Sequence, residues 1–73
     1  MRKRSTVARR VVAAAHTAAR KHWGEQAWTF RLSREERRAY LALFLLEALN
    51  EPMAKHMTVA DVMDAIALAA AED

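Results

Sequence analysis

The sequence predicts a mostly α-helical fold of three helices and one short strand. Its composition supports helices, since 53% of residues are hydrophobic and there is one glycine and one proline. Three segments have helical apolar periodicity with capping signals at their ends. Residues 27–32 alternate apolar and polar side chains instead. We expect helices at about 6–22, 34–49 and 58–71, and a strand at about 27–32.

The chain length of 73 residues predicts a single small domain over 1–73. We expect a basic amphipathic helix in residues 1–24 and a strand-helix-helix core in residues 27–73. A chain of this size buries only about 60% of its unfolded surface, and without cysteine no disulfide can supplement the core. A homodimer is therefore expected.

The first helix is predicted to begin after Ser5 and to end before Gly24. Alanine and valine fill one half of its helical wheel and basic residues fill the other half. Residues 1–24 contain seven basic and no acidic side chains, whereas residues 25–73 contain five basic and nine acidic ones. This asymmetry predicts phosphate contacts from Arg9, Arg10, Arg20 and Lys21. Solvation, or pairing with an acidic face of the third helix, is the alternative.

The second helix opens with the capping-box spacing of Ser33 and Glu36. From residue 39 onward it is apolar on nearly all sides, so it needs cover that a second chain could supply. The residues expected in the core or dimer contact are Trp28, Phe30, Leu32, Leu41, Phe44, Leu45 and Leu49.

The third helix is predicted to start at Thr58, with Asp61 as its capping partner. Helical periodicity places an apolar stripe on one side, with Asp61 and Asp64 opposite. We expect this stripe to face the core, and it comprises Val59, Val62, Met63, Ile66, Ala69 and Ala70.

In an extended segment Trp28, Phe30 and Leu32 would share one side, with Thr29 and Arg31 on the other. The aromatic side chains could simply anchor an irregular connection between helices. Alternatively, the segment could pair with the same strand of a second chain. An antiparallel ribbon of that kind fits the DNA major groove, where Thr29 and Arg31 would contact base edges.

Residues 27–71 resemble the ribbon-helix-helix (Arc repressor-like) family of DNA-binding proteins. Ala27, Thr29 and Arg31 occupy the positions of the outward triplet of that family, and the run 32–35, Leu-Ser-Arg-Glu, resembles its strand-to-helix corner. The resemblance implies a homodimer that reads DNA through the ribbon. It also implies a phosphate contact at the start of the last helix, at Thr58.

The sequence gives no sign of catalysis or of a bound cofactor. It has no nucleophile motif and no phosphate-binding glycine loop, and its three histidines lack metal-ligand spacing. The longest apolar run, residues 39–49, is about half of the roughly 20 residues that a membrane span needs. We expect a cytoplasmic non-enzyme with no cofactor, no metal, no small-molecule substrate and no membrane contact.

These observations favour a small basic DNA-binding protein that acts as a dimeric repressor or accessory factor in transcription. The alternative is a helical protein-protein interaction module, such as an inhibitor or adaptor of a mobile element. Such a module would dock its basic face on an acidic protein surface.

Overall fold

The computed structural model describes residues 5–50 and 52–71, which form three α-helices joined by two short helical turns. The helices are α1 (Thr6–Trp23), α2 (Arg34–Leu49) and α3 (Val59–Ala71). A π-helical turn at Ala27–Arg31 joins α1 to α2, and a 3-10 turn at Pro52–His56 joins α2 to α3. The α-helices lie within one residue of the expected bounds. The described residues contain no strand, so the predicted fold class is wrong.

The helix ends follow from local hydrogen bonds. At α1, Ser5 Oγ accepts the Ala8 N–H at 3.1 Å, and Gly24, at φ 86°, donates its N–H to the Arg20 carbonyl at 2.8 Å. The predicted capping box of α2 is confirmed. Ser33 Oγ accepts the Glu36 N–H at 3.1 Å, while Glu36 Oε1 accepts the Ser33 N–H at 2.9 Å.

The segment predicted as a strand is a helical turn. The Leu32 N–H donates to the Ala27 carbonyl at 3.0 Å, and the Trp28 N–H donates to the Gly24 carbonyl at 2.9 Å. These local bonds satisfy the backbone without a partner strand. Trp28 and Leu32 are buried, whereas Phe30 is 82% exposed. The predicted strand at 27–32 is therefore wrong, and the ribbon pairing across a homodimer has no strand to form it.

The core lies where α1 packs against both α2 and α3. Its small alanine and valine side chains allow close approach of the helices, and leucines of α2 fill the space between them. The buried cluster comprises Ala8, Val11, Val12, Ala15, Leu41, Leu45, Ala65 and Ala69. Phe44 and Leu49 are partly buried against it. Leu41 and Leu45, expected at the core or dimer contact, thus lie in the core of their own chain.

A second cluster anchors the π-helical turn to α1. It consists of the buried residues Ala19, Trp28 and Leu32. Trp23 and Tyr40 pack against it, with ring centroids 4.9 Å apart in a T-shaped arrangement. The turn is therefore part of the folded body, and Phe30 points away from it into solvent.

The orientation of α3 differs from the expectation. Its buried residues are Asp64, Ala65 and Ala69, and Asp64 is only 1% exposed. Val59, Met63 and Ile66 are instead 78%, 64% and 55% exposed. Most of the predicted inward stripe is thus wrong. Asp64 Oδ2 accepts the Ser5 N–H at 3.1 Å, at the end of α1 where unpaired N–H groups and the helix dipole favour a carboxylate.

The outward sides of α2 and α3 both carry exposed apolar side chains. Leu43 and Leu46 of α2 are more than half exposed. Leu46 lines a groove of about 300 Å³ together with Ile66. We call these two leucines with Val59, Met63 and Ile66 the apolar α2–α3 face. The Cα atoms span 35 × 29 × 15 Å, so the molecule is a slab about two helices thick. No helix among the described residues is both long and apolar enough to cross a membrane.

Candidate nucleic-acid interface

The outer side of α1 carries the predicted phosphate-contact residues. Arg9, Arg10 and Lys21 are exposed there and Arg20 is half-buried. The helix contains no acidic residue. Ala13 and Thr17 are exposed between the two pairs of cations. We call these six residues the basic α1 face. Residues 1–4, with three further basic side chains, lie outside the described residues.

The four cations of this face differ in their surroundings. Arg20 pairs through Nη2 with the Glu25 carboxylate, and its Nε is buried without a hydrogen-bond partner in the described structure. Within residues 5–50 and 52–71, no carboxylate pairs with Arg9, Arg10 or Lys21. These three side chains therefore present uncompensated positive charge to solvent, and Arg20 presents less.

A groove of about 340 Å³ lies between α1 and the π-helical turn. It is lined by His16, Arg20, Trp28, Thr29 and Arg37. The His16 ring stands edge-on to Trp28, with centroids 5.7 Å apart. The structure thus brings Thr29, a predicted base contact, beside Arg20, a predicted phosphate contact. Both Thr29 and Arg31 are exposed, but on a helical turn.

Arg37 is a residue whose role sequence reasoning missed. Its Nη1 lies 3.3 Å from the Trp28 carbonyl and 3.0 Å from the Leu32 carbonyl, and it donates to both. A third, longer contact of 3.5 Å reaches the Thr29 carbonyl. The guanidinium therefore caps the end of the π-helical turn and fixes it to the first turn of α2. No sequence signal identifies this role, because it depends on the unexpected turn.

The predicted phosphate contact at Thr58 lies in a different environment. Thr58 Oγ1 accepts the Asp61 N–H at 3.1 Å, and Asp61 Oδ2 accepts the Thr58 N–H at 3.1 Å. A phosphate at this position would have to displace the Asp61 carboxylate from the N–H that it already accepts. The predicted site residues are thus divided between the basic α1 face, the π-helical turn and the start of α3.

The described residues contain no group of three or more His, Cys, Asp or Glu side chains arranged to hold a metal ion. Comparison with protein-family models, curated proteins and solved structures finds no match for this chain. Its function must therefore be inferred from its own surfaces.

Proposed function

We propose that this chain is a small DNA-binding protein that contacts the sugar-phosphate backbone through the basic α1 face. The observation that carries the proposal is the arrangement of that face. Arg9 and Arg10 lie towards one end and Lys21 towards the other, with small Ala13 and Thr17 between them. Small side chains between cations let a helix approach a phosphate-lined groove closely.

The spacing of these cations suits duplex DNA. Arg10 and Lys21 are separated by about 16 Å along the axis, because an α-helix rises about 1.5 Å per residue. The major groove is about 12 Å wide, and it accepts an α-helix. A helix that lies across the groove can therefore contact phosphates on both sides through the cations near its two ends. Such contacts supply affinity with little sequence preference.

An acidic protein partner is the second candidate function. The Arg20–Glu25 pair favours it, because this side of α1 already accepts a carboxylate within its own chain. A flexible acidic polymer would then bind as tightly as DNA. The two candidates share the same surface and differ in ligand, so one titration can compare them.

The test is a fluorescence anisotropy titration of a labelled short duplex over a salt series, repeated with polyglutamate. Lys21→Gln should weaken DNA binding and reduce the slope of log affinity against log salt by about 0.9 for one lost phosphate contact. Lys55→Gln is the matched control, because it removes the same charge from the exposed turn between α2 and α3.

Equal weakening by Lys21→Gln and Lys55→Gln would overturn the proposal, since net charge alone would then govern binding. Absence of salt-dependent DNA binding would also overturn it. Preferential binding of polyglutamate, lost in Lys21→Gln, would replace it with the acidic-partner function.

A further inference from the structure

The apolar α2–α3 face exposes an amount of apolar surface that, in small soluble proteins, often marks an interaction site. Its five side chains, each more than half exposed, together present on the order of 500 Å². A standard interface buries about 800 Å² on each partner, of which roughly 60% is apolar. The face thus has about the apolar area that one side of a stable protein-protein interface requires.

The residue spacing on both helices suits helix-on-helix packing. On α3, Val59, Met63, Ile66 and Ala70 follow one another at intervals of four, three and four residues. On α2, the exposed residues Ala39, Ala42 and Leu46 follow one another at intervals of three and four residues. Leu49, three residues further on, is half-buried and lines the groove beside Leu46. Alternation of three and four is the spacing of core positions in coiled coils and four-helix bundles. Helices α2 and α3 can therefore supply two of the four helices of a bundle.

Charge favours a second copy of the chain as the partner. The five residues of the apolar α2–α3 face are all uncharged, and the groove between the helices has Arg38 as its charged lining residue. Two copies can therefore meet through this face without like charges at its centre. The arrangement also leaves both basic α1 faces on the outside, since α1 packs on the inward sides of α2 and α3.

We infer that the apolar α2–α3 face binds the same face of a second copy about a twofold axis. Helices α2 and α3 of both copies form a central four-helix layer, with one α1 on each outer side. This contact is self-complementary, as a twofold interface requires. It differs from a ribbon dimer, because residues 27–32 take no part in it. It is also independent of the proposed DNA function, which uses the opposite side of the molecule.

Sedimentation equilibrium from low micromolar to submillimolar concentration tests this inference. Wild type should reach the mass of a dimer. Ile66→Glu and Met63→Lys should each raise the dimer dissociation constant by two orders of magnitude or more, because they bury an unpaired charge in the contact. Phe30→Glu is the matched control, since Phe30 is exposed but lies outside the face.

Circular dichroism separates dissociation from unfolding. Met63 and Ile66 are each more than half exposed in the single chain. Ile66→Glu and Met63→Lys should therefore keep the wild-type helical signal. A monomeric wild type across the whole range would overturn the inference. So would dimeric Ile66→Glu and Met63→Lys, or equal dissociation by Phe30→Glu. DNA binding measured on the monomeric variants reports separately on the basic α1 face.

Discussion

The carboxylate of Asp64 on α3 accepts a hydrogen bond from the backbone N–H of Ser5, the N-cap residue of α1, at 3.1 Å. This bond joins residues 59 positions apart in the chain. It places a negative charge at the positive end of the α1 dipole. With Asp64 turned inward, the apolar side of α3 must face outward. This contact, with the buried Ala65 and Ala69 beside it, marks the inner side of α3 and leaves the apolar side available to a partner.

Removal of the Asp64 carboxylate should destabilise the fold. Asp64→Ala leaves the Ser5 N–H without this acceptor, and we expect the free energy of unfolding to fall by about 2–3 kcal/mol. Asp64→Asn keeps an acceptor oxygen and should cost about half as much. Urea unfolding followed by circular dichroism measures both. Glu47→Ala, at an exposed site on α2, should change stability by less than about 0.5 kcal/mol. Equal effects at positions 64 and 47 would contradict the buried contact.

The sequence alone could not reveal this orientation. Helical periodicity identifies an apolar stripe on α3 but gives no information on whether the stripe meets the chain's own core or another molecule. Burial of a carboxylate is unusual, so a pattern-based prediction places Asp64 in solvent. The small residues Ala65 and Ala69, beside it on the inner side, bury little apolar area on their own.

Leu32 and Phe30 should respond very differently to truncation. An extended strand would place both side chains on one packed side, so both would be costly to remove. In the helical turn Leu32 is buried and Phe30 is exposed. We expect Leu32→Ala to lower the free energy of unfolding by about 2–4 kcal/mol, and Phe30→Ala to change it by about 0.5 kcal/mol or less. Chemical denaturation of the two variants measures this difference, and similar losses would contradict the turn.

The spacing of apolar residues in segment 27–32 fits both a strand and a helical turn, for a physical reason. Trp28 and Leu32 are four residues apart, so they share a side in a helical turn and also in a strand. Only Phe30 distinguishes the two, and its exposure depends on what packs against the segment. By contrast, Ser33 with Glu36 identified the start of α2 correctly, because a capping box is a local interaction. Local signals predicted the helix bounds, while tertiary packing determined the turn.

Acid should weaken the start of α2 through Glu36. The pKa of its carboxyl is lowered by the backbone N–H of Ser33 and then by the Ser33 hydroxyl. Because the folded pKa lies below the unfolded value of about 4.3, the ionised group stabilises the folded state above the unfolded pKa. That contribution disappears as the pH falls through the folded pKa.

The stability difference between wild type and Glu36→Gln should therefore be constant near neutral pH and shrink as the solution is acidified below about pH 5. Denaturant unfolding across a pH series measures it. Glu35→Gln is the control, because it removes a neighbouring carboxyl without removing the bond to Ser33. A difference that grows on acidification would contradict the assigned role of Glu36.

The candidate site was predictable only in part. Periodicity alone separates the basic and apolar sides of α1, so Arg9, Arg10 and Lys21 were expected at the surface. The groove that brings Thr29 beside Arg20 was not predictable, since it depends on how the π-helical turn packs on α1. The role of Arg37 follows from that same turn.

Thiol labelling of Met63→Cys tests the central claim, an outward apolar α2–α3 face covered by a second copy. The natural chain has no cysteine, so the introduced thiol is the only one. Labelling should slow as protein concentration rises, and it should be fast at every concentration when Ile66→Glu is also present. Phe30→Cys should react fast throughout. Slow labelling that persists with Ile66→Glu, or fast labelling of Met63→Cys at all concentrations, would contradict the claim.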